Sequence, residues 1–237
     1  MKATAALIGL LALAAPVALP PTPALGQVVQ GEEIFYKPPS KGAPGRRIAG
    51  ASRGSNIAAV PAATIELLAP DGHAGQTVSP APTLYYYASG QINPPVQLTI
   101  SAPRRAVPLL EVNIPAPGAA GLYALRLADF RARLDENTVY TWSISVISDP
   151  RERSDDVVAS ASLLRTAPDP GLESAIRAAP PLRRMTLLAQ AGLWYDALAA
   201  AAEIKDQDGH ATLDALLEQV GLTEPARYDR QNARSTR

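Results

Sequence analysis

The sequence contains no cysteine. Disulfides, thiol catalysis and thiolate metal sites are therefore excluded, as is a lipid anchor on a cysteine, and packing alone must hold the fold. Histidine is also scarce, with two residues in the chain. With no thiolate to join them, zinc chemistry lacks ligands. Neither sign of charge is in excess: 22 Lys and Arg face 22 Asp and Glu. No global field then favours nucleic acid or an anionic membrane. Motif signatures are missing too. There is no Gly-Lys-Ser/Thr phosphate loop and no Asp-x-Asp-x-Asp-Gly calcium loop. No cofactor is expected, and no catalytic set is readable.

What the chain has is apolar mass and proline. Apolar residues make up 47%, enough for a real core, and the 23 prolines argue against a mainly helical chain. Residues 1–26 read as a secretion signal. Lys2 precedes an uncharged run from Ala3 to Ala15, helix breakers follow at Pro16 and Pro20-Pro21, and Ala24-Leu25-Gly26 supplies small residues before an expected cleavage ahead of Gln27. The run is shorter than the roughly 20 residues of a membrane span. One lysine is a weak start for a signal, so an uncleaved anchor is the alternative. The expectation is an exported protein, periplasmic or extracellular, with no stable membrane span after cleavage.

Residues 27–60 read as an extended basic arm. Lys37, Lys41, Arg46, Arg47 and Arg53 lie in a Gly- and Pro-rich stretch that suits neither helix nor central strand. Such an arm is either a solvated linker or a docking segment, its Arg forks suited to carboxylates or phosphates.

Residues 61–166 carry short strand signals: Thr64 to Leu68, Thr83 to Tyr87, Val96 to Ile100, Val107 to Ile114, Leu122 to Leu127, Thr138 to Ser148 and Asp156 to Leu164. In Thr138 to Ser148, Tyr140, Trp142, Ile144 and Val146 share the inner face by the period of two. Regular Pro/Gly turns between short strands suggest a β-sandwich of immunoglobulin or fibronectin type. Leu134 and Tyr140 resemble the plug and tyrosine corner of such domains.

The period then changes to helical over residues 167–222. Asp169 caps a helix with Pro170 at its first position. Further helices are expected over Pro181 to Gly192, over Leu193 to Ile204, and around the stripe Leu213, Leu216, Leu217 and Val220, which Gly221 ends. Leu187 to Leu198 looks like a tetratricopeptide-type hinge. One such unit cannot cover its own apolar face, so the helices should pack on the β domain. Residues 223–237 read as a polar, fraying tail. The fold class is mainly β with an α appendix.

Several blocks keep an order and spacing that identify a family. They are Pro38-Pro39-x-Lys41-Gly42-x-Pro44-Gly45-Arg46-Arg47, Arg53-Gly54, the aromatic strand at Tyr85, Tyr140-x-Trp142-x-Ile144-x-Val146-x-Ser148-Asp149-Pro150, Arg153-Ser154-x-Asp156, and Gly192-Leu193-Trp194-Tyr195-Asp196-Ala197-Leu198. The chain resembles the exported bacterial domain-of-unknown-function family numbered 928, from about Tyr36 to Leu222. Relatives often carry Cys where Ser148 stands, so a thiol role cannot belong here. The resemblance implies export and no activity.

The candidate interaction residues are Arg46, Arg47, Arg53, Asp149, Arg153, Asp156, Trp194 and Tyr195. The Asp149–Asp156 segment could act as a calcium site or as the acid/base pair of an envelope hydrolase. Its interleaved Arg151 and Arg153 favour a structural turn instead. Trp194 and Tyr195 suit interhelical packing better than a sugar platform. Asp71-Gly72-His73 and Asp208-Gly209-His210 are turns first. The functional expectation is a non-enzymatic interaction or structural module of the bacterial envelope. Its partner would be an envelope protein or a cell-wall or anionic polymer, not nucleic acid. Oligomeric state is not readable.

Overall fold

A computed structural model describes residues 35–39, 43–48, 63–204 and 207–235. The proposed signal and Arg53 lie outside the described residues. Among the described residues, eight strands form two sheets, and five α-helices follow. The protein is mostly β with a helical C-terminal part.

The strands are β1 (Ile65–Leu67), β2 (Gly75–Thr77), β3 (Thr83–Ala88), β4 (Val96–Ser101), β5 (Leu110–Ile114), β6 (Gly121–Arg126), β7 (Val139–Val146) and β8 (Val157–Arg165). One sheet has the order β1-β3-β6 and the other β2-β8-β7-β4-β5. All pairings are antiparallel except β2 on β8. Seven of these strands sit where alternation and turn residues place them. The eighth, β2, is three residues long and pairs in parallel with a strand far along the chain, so no local pattern announces it.

Alternation decides what the sheets bury. On β7, Tyr140, Trp142, Ile144 and Val146 are buried. On β4, Val96, Leu98 and Ile100 face them across the ladder and are buried as well. Leu84, Tyr86 and Leu125 of the three-stranded sheet join the same hydrophobic cluster. The Tyr140 hydroxyl accepts from the Asp135 N–H at 3.0 Å, tying the turn before β7 to the strand.

The helices are α1 (Pro170–Ala178), α2 (Pro181–Gln190), α3 (Trp194–Glu203), α4 (Gln207–Gln219) and α5 (Thr223–Ser235). The Asp169 carboxylate accepts from the Leu172 N–H at 2.8 Å, capping α1. Helix α2 ends at Gly192, whose φ of +78° only glycine adopts freely, and the Leu193 N–H returns to the Leu188 carbonyl. Gly221 closes α4 in the same way.

Helix α5 corrects the expectation of a fraying tail. Ala226 is buried, and the Tyr228 hydroxyl donates to the Ala120 carbonyl. Tyr228 also stacks obliquely on Tyr87, centroids 5.4 Å apart. The segment is polar, but its few apolar residues recur at helical spacing and cover the outer face of the three-stranded sheet. All described residues belong to one unit, Ile34–Arg237.

Candidate functional site

Residues from three of the sequence blocks singled out above, those of Tyr36 to Arg47, of β7 and of α3, meet at one seam between helices and sheets. Trp194, at the start of α3, is fully buried and donates its indole N–H to the Leu68 carbonyl at 2.8 Å. Tyr195 is buried beside it and accepts the Trp142 indole N–H at 2.9 Å. Burial pushes the Tyr195 hydroxyl far above the ordinary phenol range. Asp196 completes the set. Its two oxygens accept from the Thr77 hydroxyl at 3.0 Å and the Val78 N–H at 2.9 Å. Burial raises its carboxyl to about 6, and these two hydrogen bonds oppose that rise. Three consecutive residues of α3 thus grip β7, the end of β1 and the end of β2. Trp194 and Tyr195 face the interior, not a partner.

The arm belongs to this seam. Tyr36 is buried, meets Trp194 edge-on with centroids 5.0 Å apart, and shares a 2.8 Å hydrogen bond with His73 Nε2. The Lys37 N–H donates to the Ala189 carbonyl. A Cβ on Gly192 would stand 3.0 Å from the Lys37 oxygen, and one on Gly45 would stand 2.2 Å from the His73 carbonyl carbon. These two glycines therefore let the arm lie against the domain. Arg47 donates to the Ala69 carbonyl at 3.1 Å and approaches Glu66 at 3.8 Å. Its N–H also bonds Asp71, which helps hold that carboxyl below the usual range. Ile48 and Ser160 exchange both backbone hydrogen bonds. Of the arm's candidate residues, Arg47 is spent inside the chain and Arg46 stays exposed.

The Asp149–Asp156 segment is a turn held by its own charges. Arg153 clamps Asp156 at 2.5 Å and reaches Gln97 of β4 at 3.1 Å. Arg151 lies 3.5 Å from Asp149 and also donates its N–H to it. Arginines thus hold Asp149 and Asp156, and Glu152 accepts from the Ser154 hydroxyl. Among the described residues no group of three His, Asp or Glu is placed to hold a metal ion. His73 turns to Tyr36, and His210 pairs with Asp229 of α5 at 2.8 Å, so the matching tripeptides serve different partners.

A family model described as Domain of Unknown Function (DUF928) matches residues 48–229. The chain belongs to that family. The match runs from the arm's bridge at Ile48 into α5, so the DUF928 region takes in the first half of the helix that polarity alone disguises. The described residues 36–39 and 43–47 precede it yet pack onto it. No curated protein and no solved structure matches this DUF928 chain.

Sequence reasoning missed one surface. The middle of the outward face of the five-stranded sheet carries short polar side chains in cross-strand rows, flanked by Val158 on one side and by Val139 and Leu164 on the other. Glu111, Thr99, Ser143 and Ser160 form one row, and Ser101, Thr141 and Ser162 form the next. None is fully buried. Among the described residues, no side-chain hydrogen bond occupies the hydroxyls of Thr99, Ser101, Thr141, Ser143, Ser160 or Ser162. The signal was present as Ser/Thr alternation within each strand, but only the register aligns the rows.

Proposed function

We propose that this protein is an exported, non-enzymatic module of the bacterial envelope that docks on a neutral polysaccharide through the outer face of its five-stranded sheet. The hydroxyl rows carry this reading. Neighbouring strands lie about 4.8 Å apart, so the rows offer a regular grid of donors and acceptors on a rigid backing. The rows hold no lysine or arginine, their charged member is Glu111, and Arg153, which borders them at Gln97, is already paired with Asp156, which disfavours an anionic polymer. The finer fold assignment belongs with this reading: an immunoglobulin- or fibronectin-like sandwich, supported by the Tyr140 bond to the turn at Asp135. Export is supported by the signal-like residues 1–26 and by the family resemblance. Among the described residues no helix is long and apolar enough to cross a membrane.

The test is co-sedimentation of the full chain with insoluble neutral glucan and with an anionic wall polymer. Retention on the glucan is expected, with about tenfold weaker retention for a Thr99→Arg/Ser143→Arg variant that buries the rows under two long side chains. Equal retention of wild type and variant would sink the reading. Cell fractionation with N-terminal sequencing checks export, with Gln27 expected as the first residue.

A further inference from the structure

A cavity of about 400 Å³ lies between the three-stranded sheet and the last three helices. Tyr85, Leu122 and Ala124 wall it from the sheet side, and Leu198, Ala202 and Leu213 from the helix side. Its size is in the range of small-molecule sites, roughly 300–1,000 Å³. Its register is set by strand pairing, because Tyr85 stands opposite Ala124 and Tyr87 opposite Leu122, all on the face turned to the helices. This face is distinct from the hydroxyl rows, which belong to the other sheet.

One polar pair interrupts the apolar lining. His210 and Asp229 both border the cavity, and His210 Nδ1 lies 2.8 Å from Asp229 Oδ2. A carboxylate can only accept, so Nδ1 carries the proton of a singly protonated ring. Nε2 of that ring is then an acceptor. A bound carboxylate has no proton to give it, whereas a neutral hydroxyl would donate to Nε2. The geometry points to a site for a neutral apolar molecule carrying one hydroxyl: the apolar body lies against Tyr85, Leu198 and Leu213, and the hydroxyl donates to His210. Asp229, held on α5, sets the tautomer that accepts it.

The inference stands apart from the polysaccharide reading, since either surface can fail without the other. Fluorescence titration of the full chain with 1-naphthol, 1-methoxynaphthalene and 1-naphthoate tests it. Saturable binding of 1-naphthol is expected, about tenfold tighter than the methoxy analogue, in which a methyl replaces the donated proton, and tighter than the carboxylate. His210→Ala should remove the preference for the hydroxyl. Ala202→Phe fills the cavity from an exposed helix position that threatens no core contact, and it should weaken all three ligands together. Equal binding of naphthol and its methyl ether, no binding at all, or naphthol binding unchanged by Ala202→Phe would each overturn the proposal. Circular dichroism of both variants confirms the fold. If His210→Ala fails to fold, the wild-type ligand series and Ala202→Phe still decide.

Discussion

Trp142 has no exposed surface, and its indole N–H ends on the Tyr195 hydroxyl. Truncation to alanine should cost about 3–5 kcal/mol, read from urea unfolding. Tyr195→Phe tests the hydroxyl's bonds, from the Trp142 indole and to the Ser162 carbonyl at 3.3 Å. It keeps the ring but orphans a buried donor, so a loss of about 1–3 kcal/mol is expected. Asp196 makes a different prediction. Its folded carboxyl titrates near 6, above the ordinary aspartate value. The protonated form is therefore favoured by folding. The stability this group contributes is fully present below pH about 4 and is lost as pH rises through about 6, a change on the order of 2–3 kcal/mol. Asp196→Asn should flatten the profile across that window; an unchanged pH profile of melting would show that Asp196 is not the group responsible. The residue reading of Trp142 as a core anchor was available from period two alone. The charge on Asp196 was not, because its partners Thr77 and Val78 sit more than a hundred residues upstream.

At the scale of elements, the arm and α5 behave as integral parts. A chain starting at Pro61 loses Tyr36 and Arg47, uncovers Trp194, and should melt clearly lower than the full chain. Gly45→Ala should reproduce part of that loss, because its Cβ would collide with the His73 backbone. A chain ending at Leu222 lacks Ala226, Tyr228 and Asp229 and should expose the sheet face under α5, seen as dye binding and aggregation in light scattering. If that chain stays monomeric with unchanged melting, α5 is dispensable. Helices α1 to α4 were legible because caps and stops are local: Asp169, Pro170, Pro181, Gly192 and Gly221 all sit where their chemistry acts. Helix α5 was obscured by its charges. Pro225 in the first turn and the spacing of Leu222 and Ala226 were the available hints. Strand β2 left none, since a three-residue parallel pairing depends wholly on β8.

In the whole molecule, sheet and helix regions share a seam built from residues of the arm, β7 and α3. The motif residues Trp194, Tyr195 and Arg47 were legible as special, but whether they face solvent or interior is a tertiary property. Chemistry by residue type suggested contact with a partner for the arginines, and the structure assigns Arg47 to the chain itself. Conversely, the serines and threonines of β4, β7 and β8 look unremarkable one strand at a time and gain meaning only when the register aligns them.

The seam has an optical consequence. The protein has two tryptophans. Trp142 sits in the sheet and Trp194 in α3, both fully buried with their indole N–H groups bonded. Their emission should be blue-shifted in the native state. Single-tryptophan variants, Trp142→Phe and Trp194→Phe, would then let each region report its own loss of structure by colour. Because Tyr195 carries the acceptor for one indole and is the chain neighbour of the other, the two red shifts should occur at the same denaturant concentration, relative to each variant's midpoint by circular dichroism. Separate transitions within one variant would reveal a molecule that comes apart in two stages.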